Sequence, residues 1–173
     1  MTVSTHGRML QQRTSALIAG ISLIVMAIAA FFSYGFIHES LVVQGDAAAT
    51  FHNISSSSHL FTAEIFSWLI IVIADILVSW ALYLFLQPIH KSLSLLGAWL
   101  RLVYTAILAI AILNLLFVLL LVKPSFDLSS FTIEQIQALM MLFLRAFESI
   151  WSIGLVIFGG HLMASPGLFR RSV

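Results

Sequence analysis

Residues 60–86 read LFTAEIFSWLIIVIADILVSWALYLFL, and this stretch decides the fold. Glu64 and Asp75 are its only charged residues, and Leu, Ile, Val and aromatic side chains dominate the rest. About 20 consecutive, mostly apolar residues are enough for an α-helix to cross the hydrocarbon core of a bilayer. Pro88 follows, and a proline disfavours helical geometry at the residue before it. The stretch therefore predicts a transmembrane helix that carries two carboxylates and ends near Leu86.

The sequence on either side of this stretch contains three more long apolar runs. They predict transmembrane helices at about 14–36, 92–122 and 132–163. Thr132 and Gln135 have the spacing of a capping box, which marks the start of the last helix. We therefore expect a single all-α domain over 1–173, an integral membrane bundle of about four helices with outer loops at 37–59 and 123–131. A short helix at 45–54 is expected to lie on the membrane surface.

Composition indicates that lipid, not water, surrounds this chain. Of its 173 residues, 61% are hydrophobic and 9% are charged, and the mean hydropathy is +1.08. Soluble domains carry about 25% charged residues, so a soluble fold of this length is excluded. The formal net charge of +1 supplies no basic surface for phosphates, which argues against a nucleic-acid partner. Because cysteine is absent, disulfides, thiolate metal sites and cysteine nucleophiles are excluded as well.

The distribution of basic residues predicts the orientation in the membrane. Under an alternating topology, one side of the bilayer receives Arg8, Arg13, Lys91, Arg170 and Arg171. The other side receives only Lys123. Cytoplasmic loops carry an excess of Lys and Arg. We therefore expect a multi-pass protein of the cell inner (plasma) membrane with both termini in the cytoplasm.

The candidate site residues are the ionisable residues within the predicted helices: Glu64, Asp75, Arg101, Arg145 and Glu148. A charged side chain at the bilayer centre costs about 2.5–3.5 kcal/mol on insertion scales, so such residues face the bundle interior and pair. From the helical rise of about 1.5 Å per residue, Asp75, Arg101 and Glu148 are expected to form a cluster near mid-membrane. Glu64 and Arg145 are expected to pair nearer the outer face. Either these pairs only hold the helices in register, or they form a polar site for a proton, an ion or a small solute.

The histidines give little support for a metal or a haem. His38, His52 and His59 are expected in the outer loop, near Asp46 and Glu64, where they could bind zinc. No spacing of the HExxH type is present, and no two histidines are expected at one depth within facing helices. We therefore predict no metal site and no cofactor. Haem, pigment and lipid stay open, because an apolar pocket leaves no signature in a sequence.

Six blocks of the sequence carry a family resemblance. They are 45–50 (GDAAAT), 53–54 (NI), 75–96 (DILVSWALYLFLQPIHKSLSLL), 101–103 (RLV), 153–159 (IGLVIFG) and 161–162 (HL). In this order they resemble the bacterial membrane family called domain of unknown function 4386, whose pattern Asp46, Asp75, Lys91 and Arg101 match. The resemblance implies a multi-helix bacterial membrane protein without an established activity. Family members continue into further hydrophobic helices, so the chain resembles a C-terminally shortened form whose exposed surface a partner could cover.

Three hypotheses for function follow. The first is a non-enzymatic structural or accessory subunit that acts through helix–helix contacts, either in a homo-oligomer or in a larger membrane complex. It fits the absence of a P-loop, a Rossmann glycine pattern, a GxSxG elbow or any catalytic residue pair. The second is a small proton- or ion-linked transporter that uses Asp75, Arg101 and Glu148. The third, with the least support, is an intramembrane metal-dependent enzyme centred on the outer histidines and Glu64.

Overall fold

The structure, a computed structural model, describes residues 5–88, 91–123 and 128–164. Over these residues it is helical and contains no strand. The helices are α1 (Thr5–Ala30), α2 (Glu39–Leu41), α3 (Ala47–Ser56), α4 (Ser58–Leu86), α5 (Lys91–Val122) and α6 (Ile133–Ala164). A π-helical segment, Phe31–His38, joins α1 to α2 directly. Residues 124–127 of the second predicted outer loop, and the basic pair Arg170 and Arg171, lie outside the described residues.

In the part of the chain that the structure describes, four helical spans are long and apolar enough to cross a membrane, which confirms the predicted all-α membrane class. They are Gln12–Leu41, Ser58–Leu86, Lys91–Val122 and Ile133–Val156. Their outward faces expose large apolar side chains, among them Leu17, Ile24, Phe66, Ile73, Phe117, Leu142 and Val156. Lipid tolerates such faces, and helices satisfy their own backbone hydrogen bonds within it. The cytoplasmic location of both termini stays a prediction.

The long helices pack against one another in the order α1, α4, α5 and α6. The face of α1 that meets α4 carries small buried residues, Ser15, Ala19 and Ser22, which allow the two helices to approach closely. In contrast, α4 and α6 meet through large aromatic rings. The Trp68 ring centroid lies 5.1 Å from that of Phe147 and 5.1 Å from that of Trp151. These rings fill a wide gap between α4 and α6.

The first span differs from its prediction at its C-terminal end. We predicted a helix at about 14–36 followed by a loop that contains His38, but the chain stays helical as far as Leu41. The last turns before α2 are π-helical. A π-helix bonds each residue to the fifth one along, so it holds more residues per turn than an α-helix does. This wider coil turns Ser33, Ile37 and His38 toward the bundle interior, where all three are buried.

The short helix predicted at 45–54 is present as α3, but it is part of the bundle and not only a surface helix. Asp46 caps it, because its Oδ1 accepts a hydrogen bond from the Ala49 backbone N–H at 2.8 Å. One face of α3 buries Thr50 and Ile54, and the helix packs against α4, α5 and α6. It therefore closes the end of the bundle at which the π-helical segment stops.

Candidate functional site

A first buried polar cluster joins α4 to α5 near the middle of both helices. Arg101 donates from Nε to Asp75 Oδ1 at 2.6 Å, and its Nη2 lies 2.6 Å from the same oxygen. Thr105 donates its hydroxyl to Asp75 Oδ2. Asp75 is fully buried and Arg101 is 8% exposed. Both carboxylate oxygens thus have donors and the two charges neutralise each other. We call Asp75, Arg101 and Thr105 the central cluster.

Two hydroxyls extend the connection between α4 and α5 toward the hairpin that links them. Ser79 donates to the Ala98 carbonyl at 3.0 Å, and Ser94 donates to the Tyr83 carbonyl at 2.7 Å. Interhelical hydrogen bonds of this kind fix the register of membrane helices that have little hydrophobic reason to associate. The central cluster therefore belongs to a set of contacts that fixes the register of α4 against α5.

A second buried cluster lies nearer the end of the bundle that α3 closes. The His38 imidazole and the Glu64 carboxylate form a hydrogen bond, Nδ1 to Oε1, of 2.8 Å. On the other side of the ring, His38 Nε2 lies 3.5 Å from Glu148 Oε1. His38 is 2% exposed and Glu64 is fully buried, whereas the Glu148 side chain is 32% exposed. We call His38, Glu64 and Glu148 the outer cluster.

Aromatic rings surround the outer cluster. The Tyr34 ring stacks on the His38 ring, with centroids 5.0 Å apart and an interplanar angle of 14°. The Trp151 ring centroid lies 5.0 Å from that of Tyr34, and the Phe147 ring centroid lies 6.1 Å from that of His38. Trp68 packs on both Phe147 and Trp151. These rings exclude water from most of the cluster and raise the energetic importance of each polar contact within it.

Three buried polar atoms around the outer cluster have no hydrogen-bond partner among the described residues: His38 Nε2, Glu64 Oε2 and Trp68 Nε1. Unpaired buried polar atoms are rare, because each costs about 1–3 kcal/mol. The indole N–H of Trp68 is a donor and Glu64 Oε2 is an acceptor, while an imidazole nitrogen serves as either. However, His38 Nε2 faces Glu148 Oε1 at 3.5 Å, and the Trp68 indole N–H is directed at the Glu64 carboxylate. The outer cluster is therefore held by longer contacts than the central cluster, in which both carboxylate oxygens accept short hydrogen bonds.

The predicted membership of Glu148 in a cluster with Asp75 and Arg101 is wrong. Asp75 and Arg101 do pair, but Glu148 lies beside His38 instead. The helical rise per residue gives these residues similar depths in the membrane, but depth does not specify which helices face each other. The helix α6 packs along α5, and across the bundle its aromatic residues contact α4, which leaves Glu148 beside His38 of the π-helical segment.

The predicted pair of Glu64 with Arg145 is also wrong. Glu64 is held by His38, and Ser33 donates its hydroxyl to the Glu64 backbone carbonyl at 3.4 Å. Arg145 is exposed and lines a cleft beside Gly45. The prediction failed because it placed His38 in a loop, which left arginine as the only available partner for the carboxylate.

The polar residues predicted for the outer loop do not gather into a site. Asp46 is exposed and caps α3, whereas His52 and His59 are exposed on α3 and α4. Within the described part of the chain, no group of three or more His, Asp or Glu side chains is placed to hold a metal ion. In the outer cluster, the reason is that the carboxylates of Glu64 and Glu148 approach opposite nitrogens of one ring. Their oxygens cannot converge on a single ion together with His38.

His38 is the residue that sequence reasoning missed. A signal for it was present, since the first apolar run continues through Ile37 and no proline ends it. However, a helical wheel drawn with 3.6 residues per turn cannot assign faces within a π-helical segment. The burial of His38 could not be read from its spacing to Ser33.

Comparisons with known proteins give one match. No curated protein and no solved structure matches the chain. The family model described as Domain of unknown function (DUF4386) matches residues 18–172. That match includes all residues of the central and outer clusters. Since it covers nearly the whole chain, the protein belongs to the family Domain of unknown function (DUF4386).

Proposed function

We propose that the protein is a small proton-linked transporter in which the outer cluster takes up and releases a proton. The observation that carries this proposal is the burial of one imidazole between two carboxylates, 2.8 Å from Glu64 and 3.5 Å from Glu148. Intramembrane ionisable residues are costly, and they commonly mark proton relays or substrate paths. The earlier form of this hypothesis named Asp75, Arg101 and Glu148. The contacts around His38 support a site formed by His38, Glu64 and Glu148 instead.

The number of N–H groups on the imidazole explains why this arrangement suits the uptake and release of a proton. A neutral imidazole has one N–H, so it can donate to Glu64 or to Glu148 but not to both. An imidazolium can donate to both carboxylates at once. The cluster therefore binds an additional proton by making a second charge-assisted contact, and releases it by losing that contact.

The outer cluster is partly exposed on its Glu148 side and closed on the side of the central cluster, as a transport cycle requires. Glu148 is partly exposed and provides the route by which a proton enters or leaves. Toward the central cluster, the path is blocked by the buried side chains of Trp68, Ile71 and Leu108. Asp75 is eleven residues beyond Glu64 on α4, or about 16 Å along the helix axis. Transfer across the bundle therefore needs a conformational change, and π-helical segments are frequent at functional sites.

The experiment is a proton-flux measurement on the full chain in liposomes that enclose a pH-sensitive dye. His38→Asn and Glu64→Gln remove the proton-binding groups and are expected to abolish an acid-pulse response that the wild type shows. His52→Asn and Glu39→Gln are matched controls, because both residues are exposed near the same end of the bundle. They are expected to retain wild-type flux. Equal flux in wild type, His38→Asn and protein-free liposomes would refute the proposal.

A second candidate function, the accessory subunit, is supported by the packing of α1. Among the described helices, α1 packs mainly on α4, through Ser15, Ala19 and Ser22. Its opposite face exposes Leu17, Ile24 and neighbouring apolar residues, which a second copy or a larger complex could cover. Native mass spectrometry after gentle extraction tests this role. A stoichiometric partner or homo-oligomer supports it, whereas a bare monomer in several mild detergents contradicts it.

A further inference from the structure

A cleft beside the end of the bundle that α3 closes is not used by either buried cluster. It has a volume of about 360 Å³ and lies between the turn before α3 and one face of α6. Its lining consists of Gly45, Ala47, Ala138, Met141, Leu142 and Arg145. The volume is within the range of about 300–1,000 Å³ that is usual for small-molecule sites. Five of these six described residues are apolar or glycine, and Arg145 is the charged one among them.

Among the described residues, Arg145 has no acidic partner of the kind that an arginine within a membrane span normally has. It belongs to the span Ile133–Val156 and its side chain is exposed. The ion pairs of the described residues join His38 to Glu64 and Glu148, and Arg101 to Asp75, and none includes Arg145. A guanidinium within a span is costly unless it reaches water or an anion. The exposed side of α6 therefore carries an uncompensated positive charge next to an apolar cleft.

The neighbouring turn fixes the level of the cleft in the membrane. Val42 has extended backbone angles, and residues 43–46 are non-helical and exposed. The turn exposes the Gln44 amide and the Asp46 carboxylate, and a charged side chain is costly where it faces lipid within the hydrocarbon region. The turn therefore lies at the height of the lipid headgroups. Gly45 and Ala47 line the cleft from this turn, so the mouth of the cleft is at that height too.

We infer that the cleft binds an anionic phospholipid, with the lipid phosphate on Arg145 and the upper acyl chain against Met141 and Leu142. The arginine fork matches the geometry of a phosphate and can donate two parallel hydrogen bonds to it. The small residues Gly45, Ala47 and Ala138 leave room for the glycerol region. A lipid, in contrast to a free anion, also covers the apolar lining. Charge complementarity and the headgroup level of the cleft identify this occupant.

The experiment is native mass spectrometry of the full chain from nanodiscs that contain equal amounts of phosphatidylglycerol and phosphatidylcholine. Wild type is expected to retain phosphatidylglycerol preferentially. Arg145→Gln is expected to weaken that retention by about tenfold or more, since it removes hydrogen bonds to a charged group. Arg13→Gln removes an equally exposed arginine from α1 and is the matched control, so its retention is expected to be unchanged.

A second variant tests whether lipid binding needs the open cleft in addition to the charge of Arg145. Ala138→Leu keeps Arg145 but fills the cleft with an exposed-side substitution that leaves the core untouched. It is expected to reduce phosphatidylglycerol retention as strongly as Arg145→Gln does, while thermal stability in detergent stays at the wild-type level. Equal retention of both lipids by wild type would overturn the inference. Protection from heat by inorganic phosphate equal to that by phosphatidylglycerol would also overturn it, because the site would then be one for a free anion.

Discussion

Replacing Asp75 with asparagine removes the negative charge of the central cluster while keeping the size of the side chain. Arg101 would then remain 8% exposed near the middle of the bundle without its counter-charge. Thr105 would also lose a charged acceptor. Removing one partner of a buried ion pair typically costs about 3–5 kcal/mol. We expect Asp75→Asn to lower the free energy of unfolding by an amount in that range.

The double variant distinguishes a true pair from two independent residues. Arg101→Gln alone leaves the buried Asp75 carboxylate without its guanidinium, and it should lower the free energy of unfolding by a similar amount. In Asp75→Asn/Arg101→Gln no charge remains unpaired, so the two effects should not add. We expect the combined loss to be smaller than the sum of the single losses by about 2 kcal/mol, near the upper part of the range for residues in contact.

The assay is reversible unfolding of the purified full chain in mixed micelles by increasing denaturing detergent, followed by tryptophan fluorescence. Glu39→Gln is the control, since Glu39 is an exposed carboxylate, and its effect should stay within about 0.5 kcal/mol. Single losses below about 1 kcal/mol that add within about 0.5 kcal/mol would refute the reasoning. The central cluster would then contribute nothing as a lock between α4 and α5.

Two further substitutions test smaller parts of the fold in the same assay. Asp46→Ala removes the side-chain acceptor for the Ala49 N–H, so it should cost about 0.5–2 kcal/mol, and no loss would mean that α3 does not depend on its cap. Gly154→Ala would place a Cβ 3.2 Å from two ring atoms of the buried Tyr104, whereas Gly20→Ala meets nothing within 4 Å. The first should be less stable than the second by about 1–3 kcal/mol. Equal stability of the two variants would show that α5 and α6 pack less closely at Gly154 than the structure indicates.

The fold class could be predicted because the length and composition of the apolar runs leave few alternatives. A helix such as α4 satisfies its own backbone, and lipid admits few other structures. The stretch at 60–86 and Pro88 were enough to place that helix within a few residues. The end of the first span was harder to place, since His38, Glu39 and Ser40 have the composition of a loop. In the structure these residues are helical, and the hydrogen bond from His38 to Glu64, which lies 26 positions away in the sequence, is not visible in the local sequence pattern.

The candidate site could be predicted only in part. Asp75 and Arg101 were correctly expected to pair, because each was the nearest opposite charge at a similar depth on consecutive helices. Depth does not specify direction around a helix axis, and so Glu148 was assigned to the wrong cluster. The partner of Glu148 depends on a π-helical segment that shifts the faces of the first span, and a period of 3.6 residues gives no sign of such a segment.

The proposal that the outer cluster binds a proton is tested most directly by nitrogen-15 NMR of histidine-labelled protein in lipid bilayers. We predict that the His38 ring signals change with pH within the interval in which the protein stays folded, because the imidazole gains or loses a proton there. Glu64→Gln should move the midpoint of that change, whereas Glu39→Gln should leave it in place. A His38 ring that stays in one protonation state over the whole interval, or a midpoint that Glu64→Gln does not alter, would contradict the account.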